Sequence, residues 1–252
     1  MNTLCRFAYA QARIQARYTR LPTEDDWQRL APARTLPSFL EDAREGVMRD
    51  WVKGFSGQSD AHDLEVGVRT LVRETVDELA GWLPEPWRPA MLWTRWLPLL
   101  PLLDHQARTG SAPPWLHRDP GLQGLLTDGL TDPGKLRGAG AGALADAPAE
   151  PAATWVMEWQ RLMPPGKRSF LRHLDELVGL LGKHLAVFRE ARSESAWEVR
   201  KALRGRLALL LHRHLLQPAG PFIFLGLTAL DLERLRGELV SRALFAAGEG
   251  TV

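Results

Sequence analysis

Several groups of side chains in this sequence have the residue types that metal or nucleophilic chemistry needs, and their spacing decides against each. His212 and His214 flank Arg213; on a helix, residues two apart point about 200° away from each other, so one ion cannot take both rings. The spacing predicts one ring in solvent and the other beside the core. His173 and His184 share a helix face but stand three turns apart, about 16 Å, which also rules out a common metal. A hydrolase built on His173, Glu176 and His184, or on Asp60, His62 and Asp63, is therefore the weakest reading. The Asp60-x-His62-Asp63 cluster sits at a helix start, where acids serve as caps.

Gly138, Gly140 and Gly142 imitate a phosphate loop, yet no strand precedes them and no Lys-Ser or Lys-Thr follows. Cys5, the single cysteine, has no histidine nearby and reads as a small packed residue. No catalytic, cofactor-binding or metal-binding residues are assigned, and the chain is expected not to be an enzyme.

The elements that would carry these groups are helical. Leu4, Phe7, Ile14, Tyr18 and Leu21 fall near one face of a 3.6-residue repeat, with Arg6, Arg13, Arg17 and Arg20 in the same segment. Thr23 before Glu24, Asp25 and Asp26 predicts an N-cap with acids in the first turn, opening a short helix about Trp27. Another runs from Leu36 through Ala43, stopped by Gly46. Leu64, Val68, Leu71, Val72, Val76 and Leu79 mark a long amphipathic helix ending near Gly81–Pro84. The apolar stretch Trp87–Arg108 reads as a buried helix that Pro98 and Pro101 must kink or break.

Residues 111–150 are dense in Gly, Pro and Ala, which predicts a linker; only Leu122–Leu130 suggests a short helix, and Gly138–Ala145 reads as a flexible piece. Order resumes at Pro151 with a helix through Trp155, Trp159 and Leu162. A second carries Phe170, Leu174, Leu177, Val178, Leu181, Leu185 and Phe188. Ser195 and Glu198 suggest a capping box for a third, through Leu203, Leu207, Leu210, Leu211 and Leu215. A last helix spans Phe222–Phe245. No stretch alternates like a strand with hairpin turns, so the class is all-α, organised as a bundle over 1–110, a linker over 111–150 and a second bundle over 151–252.

The 252 residues, 45% hydrophobic and 25% charged, suit a globular protein with a substantial core. Lys and Arg number 32 against 30 Asp and Glu, and so balanced a chain offers no concentrated basic surface for nucleic acid. The start lacks an apolar signal region, and the uncharged run Gln217–Leu230 falls short of the roughly 18 residues a membrane helix needs. The expected location is cytoplasmic, with any membrane association indirect and peripheral on its inner face. Trp93 and Trp96, from a cluster with Trp82 and Trp87, are core residues or exposed interface anchors. With Arg95 and the arginines Arg6, Arg13, Arg17 and Arg20, they form the candidate partner-binding set.

The order of elements resembles a known family. Phe7, Ala8, Tyr9, Ala12 and Arg13 match the aromatic-Ala-Tyr-x-x-Ala-Arg opening of the AC39 family, the C/d-type subunits of V-type (V/A-type) ATPases. Leu36, Phe39 and Leu40 match its next element loosely, and Asp231, Glu233 and Arg236 stand where its closing helix places acids before an arginine. The resemblance covers about residues 4–110 and 167–246. It implies a helical bundle of pseudo-repeated units, here with the third reduced. It also implies a non-catalytic part of a bacterial rotary ATPase, seated between central stalk and membrane rotor ring in proton or sodium transport, with the stalk and ring proteins as partners and no cofactor. Of the family's Arg-x-Asp-x-x-Asn set, Arg95 is present, while Leu97 and Leu100 occupy the other places. The alternative is a helical adaptor or assembly protein that kept the fold and binds another partner.

Overall fold

The structure, a computed structural model, describes residues 3–113, 116–165 and 168–246. In chain order its elements are α1 (Thr3–Tyr18), α2 (Glu24–Leu30), α3 (Leu36–Arg44), α4 (Arg49–Val52), α5 (Ala61–Trp82), α6 (Arg88–Trp93), α7 (Leu100–Thr109) and α8 (Pro120–Gln123). A two-stranded hairpin of β1 (Leu126–Thr127) and β2 (Leu130–Thr131) precedes α9 (Pro133–Gly138), α10 (Gly142–Asp146), α11 (Pro151–Arg161), α12 (Arg168–Glu190), α13 (Ala196–Arg213) and α14 (Ala219–Ala246). Among the described residues the protein is all-α apart from that hairpin.

The described residues group into two compact units. The first takes the described parts of Met1–Leu71, Gly81–Pro84 and Pro165–Val252, and the second takes Val72–Ala80 and Glu85–Pro164. In the first, α14 packs against α1, α3, α12 and α13. Phe7, Ile14, Phe39, Leu40, Leu207, Ile223, Leu227 and Leu235 form its buried core, each such side chain contributing about 1.5–3 kcal/mol when taken fully from water. Thr23 caps α2 as expected: its hydroxyl accepts from the Asp26 amide at 3.2 Å, and the Asp26 carboxylate accepts from the Thr23 amide at 2.9 Å. Asp60 and Asp63 make the same reciprocal pair at the start of α5, at 2.8 and 3.2 Å. Ser195 behaves otherwise. It ends a 3-10 turn, and its hydroxyl donates to the Arg192 carbonyl rather than receiving an amide of α13, because the preceding turn already holds that backbone.

In the second unit α11 packs against α6, α7 and α10 over Leu102, Leu103, Leu144, Trp155 and Trp159. The proline-bearing stretch is broken: α6 passes into a 3-10 turn over Thr94–Leu99 containing Pro98, and Pro101 occupies the first turn of α7, where its missing amide costs nothing. The segment predicted as a linker is built from short elements. Asp119 caps α8 and Asp132 caps α9 through their carboxylates, and Leu136, Ala141 and Leu144 are buried. Gly138–Ala145, expected to be flexible, contributes to α9 and α10. Where a helix over Leu122–Leu130 was expected, α8 stops at Gln123 and the chain reverses. Leu126 pairs with Thr131 across a turn in which Asp128 (φ 51°) and Gly129 (φ 79°) are both left-handed, the conformation that an Asp-Gly hairpin favours.

Candidate interaction site

The arginines of α1 and of the turn after it have different surroundings. Arg13 is exposed and stacks over the Trp82 ring, 5.3 Å from its centroid, while Arg20 is exposed to solvent. Arg17 is half-buried and already engaged within the protein, and the Arg6 side chain lies outside the described side chains. The apolar face of the helix, with Phe7, Ala10 and Ile14 buried, fixes this arrangement.

Trp93 is a packing residue rather than an exposed anchor, being 4% exposed. Its indole N–H donates to the Trp155 carbonyl at 3.0 Å, and the Trp155 indole donates back to the Trp93 carbonyl at 3.3 Å, so both buried polar groups are satisfied. Trp96 is half-buried, and Arg95 reaches Asp77 of α5 at 2.5 Å in a solvent-facing pair. Leu97 is 42% exposed on the same 3-10 turn.

The polar residues of α14 converge on its neighbours. Arg204 of α13 grips Asp231 at 2.7 and 3.0 Å and also donates to the Pro22 carbonyl. Burial pushes the Asp231 carboxyl above its ordinary range against the pull of that guanidinium. Arg234 lies between the rings of Trp27 and Trp197, at 4.5 and 4.6 Å, and is bidentate to Glu24. The Arg234 hydrogen bonds hold Glu24 below the usual carboxylate range. Arg236 bridges Glu233 and Glu65. Beside them lies an open cleft of ≈ 280 Å³ lined by Trp197, Arg200, Glu233, Arg234, Arg236, Gly237 and Glu238. Its guanidinium groups are engaged by carboxylates, so this arrangement pins α2, α5, α13 and α14 together more than it offers free charge. Asp231, Glu233 and Arg236, the residues singled out in the closing helix, all belong to it.

The second feature is a face that sequence reasoning placed but could not expose. The apolar stripe of α12 is covered at Leu174 and Leu177, yet Val178 is 37% and Leu185 53% exposed, with Leu181 and Phe188 half-buried between and beyond them. Helical spacing alone cannot tell which turns of such a stripe have a neighbour. Apolar side chains left exposed along one helix face offer a surface to another macromolecule. In the second unit Val156 and Met157 on α11 are exposed as well.

The histidines separate as their spacing required, with His214 buried and His212 exposed, its ring edge-on to Tyr18 at 5.4 Å. What spacing could not give is the meeting of His214 with His173 of α12, ring centroids 4.3 Å apart, and with Glu176 at 2.9 Å. His184 lies beside Phe188, away from this pair. Among the described residues no group of three or more His, Cys, Asp or Glu side chains is placed to hold a metal ion, and no helix is long and apolar enough to cross a membrane.

Compared with known protein families, with curated proteins and with solved structures, the chain matches none of them.

Proposed function

We propose that this protein is a helical docking subunit whose work is to bind other proteins, and that its partners are the central stalk and membrane rotor ring of a V/A-type rotary ATPase in proton or sodium transport. The observation that carries the docking reading is the α12 face, on which Val178 and Leu185 remain exposed along a stripe whose earlier turns are core. An amphipathic helix that outruns its own cover is a ready surface for a helix of another chain. The choice of partner rests on the resemblance of the two chain ends to the AC39 family. Support for it is that α1 and α14, which carry that resemblance, pack together in one unit. On this reading the protein is non-catalytic and cytoplasmic, held peripherally at the membrane by its partners.

One observation favours the second reading, an adaptor or assembly protein of the same descent with a different partner. Arg95 spends its charge on Asp77, and Leu97 occupies the exposed position where the family places a polar residue.

The docking reading is tested by the double substitution Val178→Asp, Leu185→Asp. Because both side chains already face solvent, the variant should keep the helical signal and thermal transition of the wild type while losing its association with partner. Retained association would refute the role given to α12.

A further inference from the structure

The corner where α12, α13 and the start of α14 meet brings buried His214 against half-buried His173, in a setting that has no use for two charges. The rings of His173 and His214 lie 4.3 Å apart and tilted by 32°. His214, at the C-terminal end of α13, shares a hydrogen bond with Glu176, which Arg213 also engages at 2.8 Å. His173 Nδ1 is buried with no hydrogen-bond partner. Among the described side chains, Arg172 and Glu176 of α12 act on His173 together with His214, while Arg213 and exposed His212 of α13 stand beside the pair's partners. From α1 come Tyr18, edge-on to His212, and the uncharged Gln11; the facing Ala219–Thr228 stretch of α14 carries no titratable side chain.

The next turn of chain is held under strain. Leu216 has φ 61°, the left-handed region that a branched residue with a Cβ adopts only when its surroundings impose it. The Leu216 amide donates to Gln11 Oε1 of α1 at 3.1 Å. The Gln217 amide bonds back to the His214 carbonyl, so the turn is tied directly to the histidine.

We propose that this corner is an acid-opened latch: when the His173–His214 pair takes up more charge than Glu176 can balance, α12 and the last turn of α13 part and the Leu216 turn is released. One charged imidazole is balanced by Glu176. A second would stand beside a cation with no acceptor at Nδ1 and with the Arg172 charge also set against it, an arrangement in which like charges repel. Burial first, then the charges of His214 and Arg172, hold His173 below the ordinary histidine range, so the closed state withstands neutral pH and gives way only on its acid side. This inference is independent of which partner the protein binds.

Hydrogen exchange of the intact chain, corrected for intrinsic rates and compared at about pH 7.5 and about pH 5.5, reads the latch directly. The amides of His214, Leu216 and Gln217 should lose about tenfold or more of their protection at the lower pH in the wild type, and keep it in His173→Phe, which retains ring and volume without the charge. Wild-type amides equally protected at both values, or an equal loss in His173→Phe, would overturn the proposal. Should that variant not fold, His173→Asn takes its place in the same comparison, and an equal loss of protection in it overturns the proposal.

Discussion

Arg204 holds Asp231 through both carboxylate oxygens, at 2.7 and 3.0 Å, with Asp231 1% exposed and Arg204 still reaching solvent. The asymmetry matters because removing one partner of a buried pair strands the other. Arg204→Met leaves a buried carboxylate uncompensated and should cost about 3–5 kcal/mol in chemical denaturation, whereas Asp231→Ala leaves a guanidinium that can turn to water and should cost less. Equal losses in the two variants would mean that Asp231 is not buried as described.

Glu24 gives the acid side of stability a specific source. Its carboxyl sits below its ordinary value of 4.5 because of the Arg234 hydrogen bonds, so the unfolded chain binds the proton more readily than the folded one. The stabilisation is therefore present in full above that ordinary value and is lost as pH falls below it toward the folded value. Glu24→Gln should flatten the fall of melting temperature on the acid side, with only a modest loss at neutral pH because Glu24 is partly exposed. An unchanged acid limb would remove Glu24 from the account.

Gly67 is required by a neighbour. A Cβ there would stand 2.1 Å from Cε1 of buried Phe55, so Gly67→Ala must displace the ring and should cost about 1–3 kcal/mol. Adding Phe55→Leu should recover part of that loss, since it clears the space. A Gly67→Ala protein as stable as wild type would contradict the packing of Phe55 on α5.

The paired indoles of the second unit predict two losses of different size. Trp93→Phe keeps most of the buried area and removes only the indole donor to the Trp155 carbonyl, a loss of about 0.5–1.5 kcal/mol, while Trp93→Ala also opens a cavity and should cost about 3–5 kcal/mol. Thermal unfolding of the two variants checks the order.

Helix type and many helix starts were legible because their causes are local. Thr23 and Asp26 cap α2 with side chains three residues apart, and Pro98 and Pro101 cannot continue the helix that precedes them. The region 111–150 misled because small residues and prolines serve linkers and tight short elements alike. Its order comes from Asp119 and Asp132 as caps and from Leu136 and Leu144 finding cover, and Asp128-Gly129 was the readable sign of the hairpin. The candidate sites depend on long-range pairing. Nothing in the spacing of α12 says that Leu177 is covered and Leu185 is not, and nothing joins His173 to His214 before the helices fold together. Trp93 and Trp96 could be set in one cluster from sequence, but only packing separates the buried ring from the half-buried one.

The central claim is a partner, and affinity purification of the intact chain from the cells that make it, with quantitative mass spectrometry, tests it most directly. Central-stalk and rotor-ring ATPase proteins should be recovered with the wild-type chain in near-stoichiometric amounts and lost with Val178→Asp, Leu185→Asp. Recovery of other proteins in those amounts, with the ATPase proteins at background, would contradict the rotary-ATPase reading.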